Sequence, residues 1–214
     1  LVAGDRTFRQ RRRLYANRIY PQKKSLMKKS TYFFAFSSIF LSAAIVLAAS
    51  NFVCEYRAQK TTIHVSAQLE QKFAEAKENG DISSEIPAQT TENADYLGIL
   101  TIPALDLTVP INNTFSEANL KLTPCRYAGS LGKNDLVICG HNYAAHFRDL
   151  KSLKKGDALY FTDINGNTHS FTLSTQEILA PIDNTAMIGS DYDLTLFTCT
   201  KDGQKRLVLR FVQQ

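Results

Sequence analysis

The sequence predicts an all-β fold, an eight-stranded closed barrel with short helices, preceded by a transmembrane helix and a stalk. Three observations lead there. From Tyr96 onward, eight short apolar runs rich in Val, Ile, Leu, Phe and Thr are separated by turn-forming residues. Upstream, the whole stretch from Ser30 to Cys54 carries no charged residue. Between these zones, Thr61 to Lys77 places Leu69 and Phe73 at i, i+4 on one side of an amphipathic helix.

The elements follow in order. Residues 1–30 hold ten of the 25 Lys and Arg but only one of the 20 acidic residues, so the basic balance of the chain belongs to this leader. Its Arg11-Arg12-Arg13 run reads as a topology determinant ahead of a membrane span, not as a nucleic-acid arm or a twin-arginine signal. Met27-Lys28-Lys29-Ser30 has the form of a natural start, so residues 1–26 are read as an over-extended reading frame or an unusual leader. Residues 31–53, Thr31 to Val53, are long enough to cross a bilayer as a helix of about 20 residues. Lys23, Lys24, Lys28 and Lys29 precede them, which puts the N-terminus in the cytoplasm and the rest of this single-pass chain outside. A cleaved signal peptide is the competing reading, with small residues near Ala48 and Ala49. Residues 54–94 then form a stalk helix and a linker, of which Asn79 to Ala94 is polar and holds a Pro.

The barrel domain spans residues 95–214. Strands are expected near 97–102, 107–111, 125–128, 135–140, 158–162, 168–178, 193–199 and 206–212. Closure would remove exposed strand edges and let about 120 residues enclose a core. Asn165-Gly166 and Asp202-Gly203 mark hairpins, and Ser116 is placed to cap a short helix to Leu122.

Two strand ends carry the chemistry. Cys199 closes the run LTLFTC, and the Asp202-Gly203 turn folds Arg206 back toward it. A cation beside a thiol favours the thiolate and supplies donors for a developing oxyanion. The same residues also suit a buried strand cysteine and a solvated turn arginine. His141 follows Gly140 at the end of LVICG, a second strand leaving the sheet. The four cysteines, 54, 125, 139 and 199, lack metal-ligand spacing, so no zinc site, metal or other cofactor is implied. Cys125 and Cys139 are open to pairing in an oxidising exterior. His146, in NYAAHFRDL, reads as a surface residue, His64 and His169 match no motif, and Cys139 reads as a small buried strand residue.

Taken together, TLFTC, the downstream Arg, the Gly-His-Asn strand end and the opening LGILTIPALDLTVPI closely resemble the sortase family of cysteine transpeptidases over Tyr96 to Val212. The resemblance implies a sortase-like β-barrel as the catalytic domain, with Cys199 as nucleophile, His141 as general acid and base, and Arg206 stabilising the oxyanion or holding the substrate backbone. Arg210 is the alternative arginine, on the same strand parity but off the family position. Thr198 matches a position that contacts substrate, and Ala180, Pro181, Ile182 and Ile188 fall where sortases wall the groove for the peptide. The implied reaction cuts an LPXTG-like sorting signal of secreted surface proteins between Thr and Gly and passes the acyl group to an amine of a peptidoglycan precursor or a pilin. The absence of a long helix before Asp193 and of an Asp-Pro-aromatic lid leans toward a compact class D-like or unassigned sortase. A pilin-polymerising sortase, a cell-wall cysteine peptidase or amidase, and a non-catalytic peptide-binding barrel stay open as alternatives.

Overall fold

The computed structural model describes residues 23–78, 90–91, 94–181, 184–188 and 191–214, with side chains over most of them. The chain divides into two compact units, residues 1–51 and 52–214. One helix, α1 (Lys23–Glu78), begins in the first and ends in the second. It has no internal Gly or Pro, so no residue type in it breaks the hydrogen-bond ladder. The expected stalk helix from Thr61 is therefore the last third of a single 56-residue helix. In the first unit the side chains from Thr31 on are exposed, mostly apolar and uncharged, and α1 is long and apolar enough to cross a membrane, with a mean hydropathy of 2.1 in its best window.

The second unit is the barrel. Its strands are β1 (Thr90–Thr91), β2 (Ala94–Ile102), β3 (Leu107–Asn112), β4 (Cys125–Ala128), β5 (Leu136–Cys139), β6 (Ala158–Asp163), β7 (Thr168–Leu179), β8 (Leu194–Cys199) and β9 (Arg206–Gln213). Apart from the two-residue β1, which falls inside the expected linker, these are the eight strands read from the sequence, with ends shifted by at most one residue except at β2, which begins three residues earlier than expected. The sheet order is β1-β2-β3-β4-β5-β8-β9-β7-β6, and a β2–β6 pairing closes it. Most neighbours are antiparallel, but β3 and β4 pair in parallel at Asn112 and Cys125, and β5 and β8 run parallel from Leu136 beside Leu194 to Cys139 beside Phe197.

Closure depends on Gly98. A β-bulge between Tyr96 and Gly98 bends β2 so that it pairs with β3 on one side and β6 on the other. Gly98 has φ +155°, and a Cβ there would lie 2.2 Å from the Thr162 carbonyl oxygen. Inside, Leu100, Ile138, Phe161, Phe171, Leu196 and Phe211 are fully buried or nearly so, as the inward members of alternating strands. Val65 and Leu69 of α1, with Phe73 beside them, pack on Tyr96 and Ile99 of β2. Two short helices complete the unit: α2 (Glu117–Leu120), whose first turn is capped by the Ser116 side chain accepting from the Asn119 N–H, and α3 (Asn184–Ile188).

Candidate active site

The ends of β5 and β8 meet because the two strands run parallel. Past Cys139 the ladder continues for one more bond, from the Gly140 N–H to the Phe197 carbonyl at 3.1 Å, and His141 leaves the sheet there. On the far side of β8, Cys199 and Arg206 are directly paired across the β8–β9 hairpin. That turn is held by the Thr200 N–H to the Lys205 carbonyl at 3.0 Å and the Gln204 N–H to the Asp202 carboxylate at 3.1 Å. Hydrogen bonds from the Thr200 hydroxyl and the Gln204 N–H hold the Asp202 carboxyl below its ordinary pKa.

His141, Cys199 and Arg206 line one groove of about 200 Å³, which Glu117 and Tyr127 also line. Cys199 is half-buried, and with Thr198 it also borders a second depression of about 340 Å³, where Asn142, Arg148 and Ile178 lie. Cys199 therefore stands on the ridge between two cavities. Arg206 is partly exposed and donates to the Lys205 carbonyl at 3.3 Å, leaving most of its five donors available to a ligand.

Burial lowers the pKa of His141, and Lys121 adds to this while Glu117 opposes it. At neutral pH its imidazole is held neutral, the form that accepts a proton. Its Nε2 is buried and has no hydrogen-bond partner among the described residues. The ring stacks on Tyr143 at 4.9 Å between centroids, and Tyr143 in turn on His146 at 5.4 Å. Behind His141, Phe147 is fully buried, and its N–H bonds to the His141 carbonyl at 3.2 Å. Gly140 makes room for that ring, since a Cβ there would lie 2.5 Å from Phe147 Cδ2.

His146, expected at the surface, is only 1% exposed. The loop turns inward because Phe147 enters the core, and His146 is carried with it. Its Nε2 meets the Leu122 carbonyl at 3.1 Å, and burial pushes its pKa down to about 4. Cys125 and Cys139 are directly opposed across β4 and β5, buried and free. Burial pushes the Cys125 thiol up to about 12 and Cys139 further in the same direction.

The groove-wall residues named from the sequence are less clustered. Pro181 is exposed and lines the groove with His141 and Cys199. Ala180 and Ile188 are exposed but do not line it, and Ile182 lies outside the described residues. Met187, which the sequence did not single out, is 2% exposed and does line it, as do Phe115 and Phe197. Their only signal was apolar character, which a core residue shares. Thr198 is 3% exposed with its hydroxyl unpartnered among the described residues. Arg210, the alternative arginine, is 3% exposed and structural. Its guanidinium bonds Glu177 at 2.9 Å, Thr195 Oγ1 at 3.0 Å and the Met187 carbonyl at 3.1 Å, and also reaches the Ala186 carbonyl. Among the described residues no cluster of His, Cys, Asp and Glu is suited to a metal ion.

Comparison with known proteins gives one answer. Residues 100–213 match the sortase domain family. Sortase A of Bacillus anthracis is 29% identical over 136 residues, covering 59% of this chain and 63% of that protein, so the match spans less than two thirds of the relative. The solved sortase D5 transpeptidase of Clostridium perfringens superposes with a TM-score of 0.55 at 18% identity, over 74% of this chain and 99% of that one. The sortase C of the same organism, solved with its C-terminal cell wall sorting motif, superposes with a TM-score of 0.51 at 21% identity, over 79% and 98%. With a barrel of this topology and a family match over more than half its length, the chain belongs to the sortase family.

Proposed function

We propose that this chain is a membrane-anchored cysteine transpeptidase that cleaves an LPXTG-like sorting signal between Thr and Gly and transfers the acyl part to an amine of a cell-wall precursor. The observation that carries the reading is the convergence of Cys199, His141 and Arg206 on one groove.

The steps follow from these residues. His141, neutral at working pH, takes the Cys199 proton, and the guanidinium of Arg206 favours the resulting thiolate. Sγ attacks the Thr carbonyl carbon, and Arg206 donates to the oxyanion that forms. As the C–N bond breaks, His141 returns its proton to the departing Gly amine, leaving a thioester on Cys199. The incoming amine attacks that thioester and loses its proton to His141, and the thiol is restored. Thr198 and Pro181, beside the thiol in the groove, are the peptide contacts this reading favours, with Ala180, Ile182 and Ile188 on the same segment as further candidates. The solved sortase C with its sorting motif supports a peptide of this class as donor.

The lysines ahead of Thr31 support an orientation with the N-terminus cytoplasmic and the barrel outside. The compact connection before β8 supports a class D-like assignment.

The test is intact-mass spectrometry of the full chain in detergent, incubated with an LPXTG-type peptide with and without an amine acceptor, beside Cys199→Ala. A Cys199-dependent adduct that passes to the amine is expected. Hydrolysis alone in the presence of abundant amine would make the chain a peptidase, and no adduct across a panel of signals would refute the substrate class.

A further inference from the structure

The loop that carries His141 has one end fixed and the other exposed. Phe147 is fully buried and anchors the C-terminal side, while Ala144 points outward. Inside the loop, the His146 and Arg148 N–H groups both donate to the Tyr143 carbonyl, at 3.0 and 3.2 Å. These bonds shape the turn but do not attach it to anything.

One attachment is the buried His146, whose Nε2 meets the Leu122 carbonyl; the exposed side of the turn is attached to α1, 89 positions earlier in the chain. The Glu55 carboxylate accepts from the Ala144 N–H at 3.0 Å and forms an ion pair with the Arg148 guanidinium. One side chain thus ties two points of the turn, and Tyr143 beside them stacks on the His141 ring. Burial, then the neighbouring Cys54 and Glu55, raise the Tyr143 phenol, which agrees with its lying close to this stretch of α1. The helix and loop do not pack tightly here. Phe52, Tyr56, Ala144 and Ala145 border an open cleft of about 280 Å³ between them. The apolar docking of α1 lies farther along, at Val65 and Leu69. Near His141 the polar contact therefore sets the distance between helix and loop.

We infer that Glu55 is a positioning residue for His141, through which the stalk helix holds the proton-transfer loop in register with Cys199. The inference rests on reading His141 as the acid and base of the reaction. The two groups Glu55 holds are the Arg148 guanidinium and the Ala144 backbone N–H. Both side chains of the pair are partly exposed, at 41% and 34%, and such pairs contribute little to global stability, so the expected effect is on placement of the ring.

The experiment uses the full chain in detergent and compares wild type with Glu55→Leu and Glu55→Gln. Amide exchange over residues 142–148 is read as a ratio to that of β5 and β8, so a general loss of stability cancels. For Glu55→Leu the ratio should rise at least tenfold, and the turnover number for thioester formation should fall about fivefold with KM within twofold. Glu55→Gln, which keeps an oxygen for Ala144 but loses the charge for Arg148, should lie between. An exchange ratio within twofold of wild type overturns the tether. A raised ratio with unchanged turnover overturns its role in positioning, as does lost turnover with an unchanged ratio. Should wild type form no adduct, the transpeptidase reading fails instead. The exchange ratio and the titration midpoint of the His141 ring by NMR then decide the role of Glu55, and no change in either variant overturns it.

Discussion

Gly140→Ala is the substitution whose consequence follows most directly from the geometry. Gly140 lies outside the left-handed region, so the backbone accepts alanine, and the whole effect is one of space. The new methyl carbon would lie 2.5 Å from Phe147 Cδ2 and 2.9 Å from both Cε2 and Cγ, three contacts with one rigid ring. The ring cannot swing aside as a flexible chain end would, because Phe147 is fully buried among the core residues. Forcing one methyl into such a site costs about 1–3 kcal/mol, or roughly 2–4 °C of melting temperature for each of those kcal/mol in a unit of this size. The displaced ring pulls on the Phe147 N–H to His141 carbonyl bond at 3.2 Å, so His141 moves with it. A misplacement of about 1 Å lowers the rate by up to roughly 10²-fold. Melting followed by circular dichroism and the rate of adduct formation by mass spectrometry read the two effects. Phe147→Leu in the same chain removes the clashing ring atoms and should recover part of both losses, a non-additive pair. A Gly140→Ala protein that melts within 1 °C of wild type and forms adduct at the wild-type rate would show that the reasoning from this contact is wrong.

Arg206→Ala should slow thioester formation by about 10²-fold while leaving the melting temperature nearly unchanged, since its one described bond is local, and Arg206→Lys should keep part of the rate. Arg210→Leu should do the reverse at first hand, melting lower by an amount equivalent to about 2–3 kcal/mol because Thr195 Oγ1 and the Met187 carbonyl lose their donor. Acid stability tests His146. Its folded pKa of about 4 lies below the ordinary value of 6.5, so the unfolded chain binds the proton first, and stability is lost as pH falls from 6.5 toward 4. The slope should be about 1.4 kcal/mol per pH unit from this residue, and urea titrations of His146→Gln should show a flatter acid limb.

Most strands were legible because they are short, apolar runs bounded by Gly, Asn, Asp or Pro, and the turn at Asp202-Gly203 placed Arg206 opposite Cys199 without further information. The pairing of β5 with β8 was not legible, since nothing local specifies which strand lies parallel to which. That pairing is what brings His141 to Cys199, and only the family resemblance suggested it beforehand. The burial of His146 was hidden for a related reason: the alternation that marks inward residues on a strand has no counterpart in a loop, and the inward turn is decided by the neighbouring Phe147. In α1 the change from apolar to amphipathic composition near Cys54 suggested two segments, whereas the backbone responds to the absence of Gly and Pro and continues as one helix. Met187 and Phe197 illustrate the remaining gap, because a groove wall and a core wall use the same side chains.

Under the proposed reaction, the buried thiols of Cys139 and Cys125 bear on the fidelity of acyl transfer. A thioester on Cys199 could exchange onto any neighbouring thiolate, and such migration would strand the cargo where no amine reaches it. Cys139 lines the same groove and Cys125 lies directly across the sheet from it, yet burial keeps both protonated far above neutral pH. A protonated thiol does not take up an acyl group. Desolvation of these two sulfurs thus leaves Cys199 as the accessible thiol of the groove, and alkylation by a small electrophile should label it and the half-buried Cys54 ahead of Cys125 and Cys139.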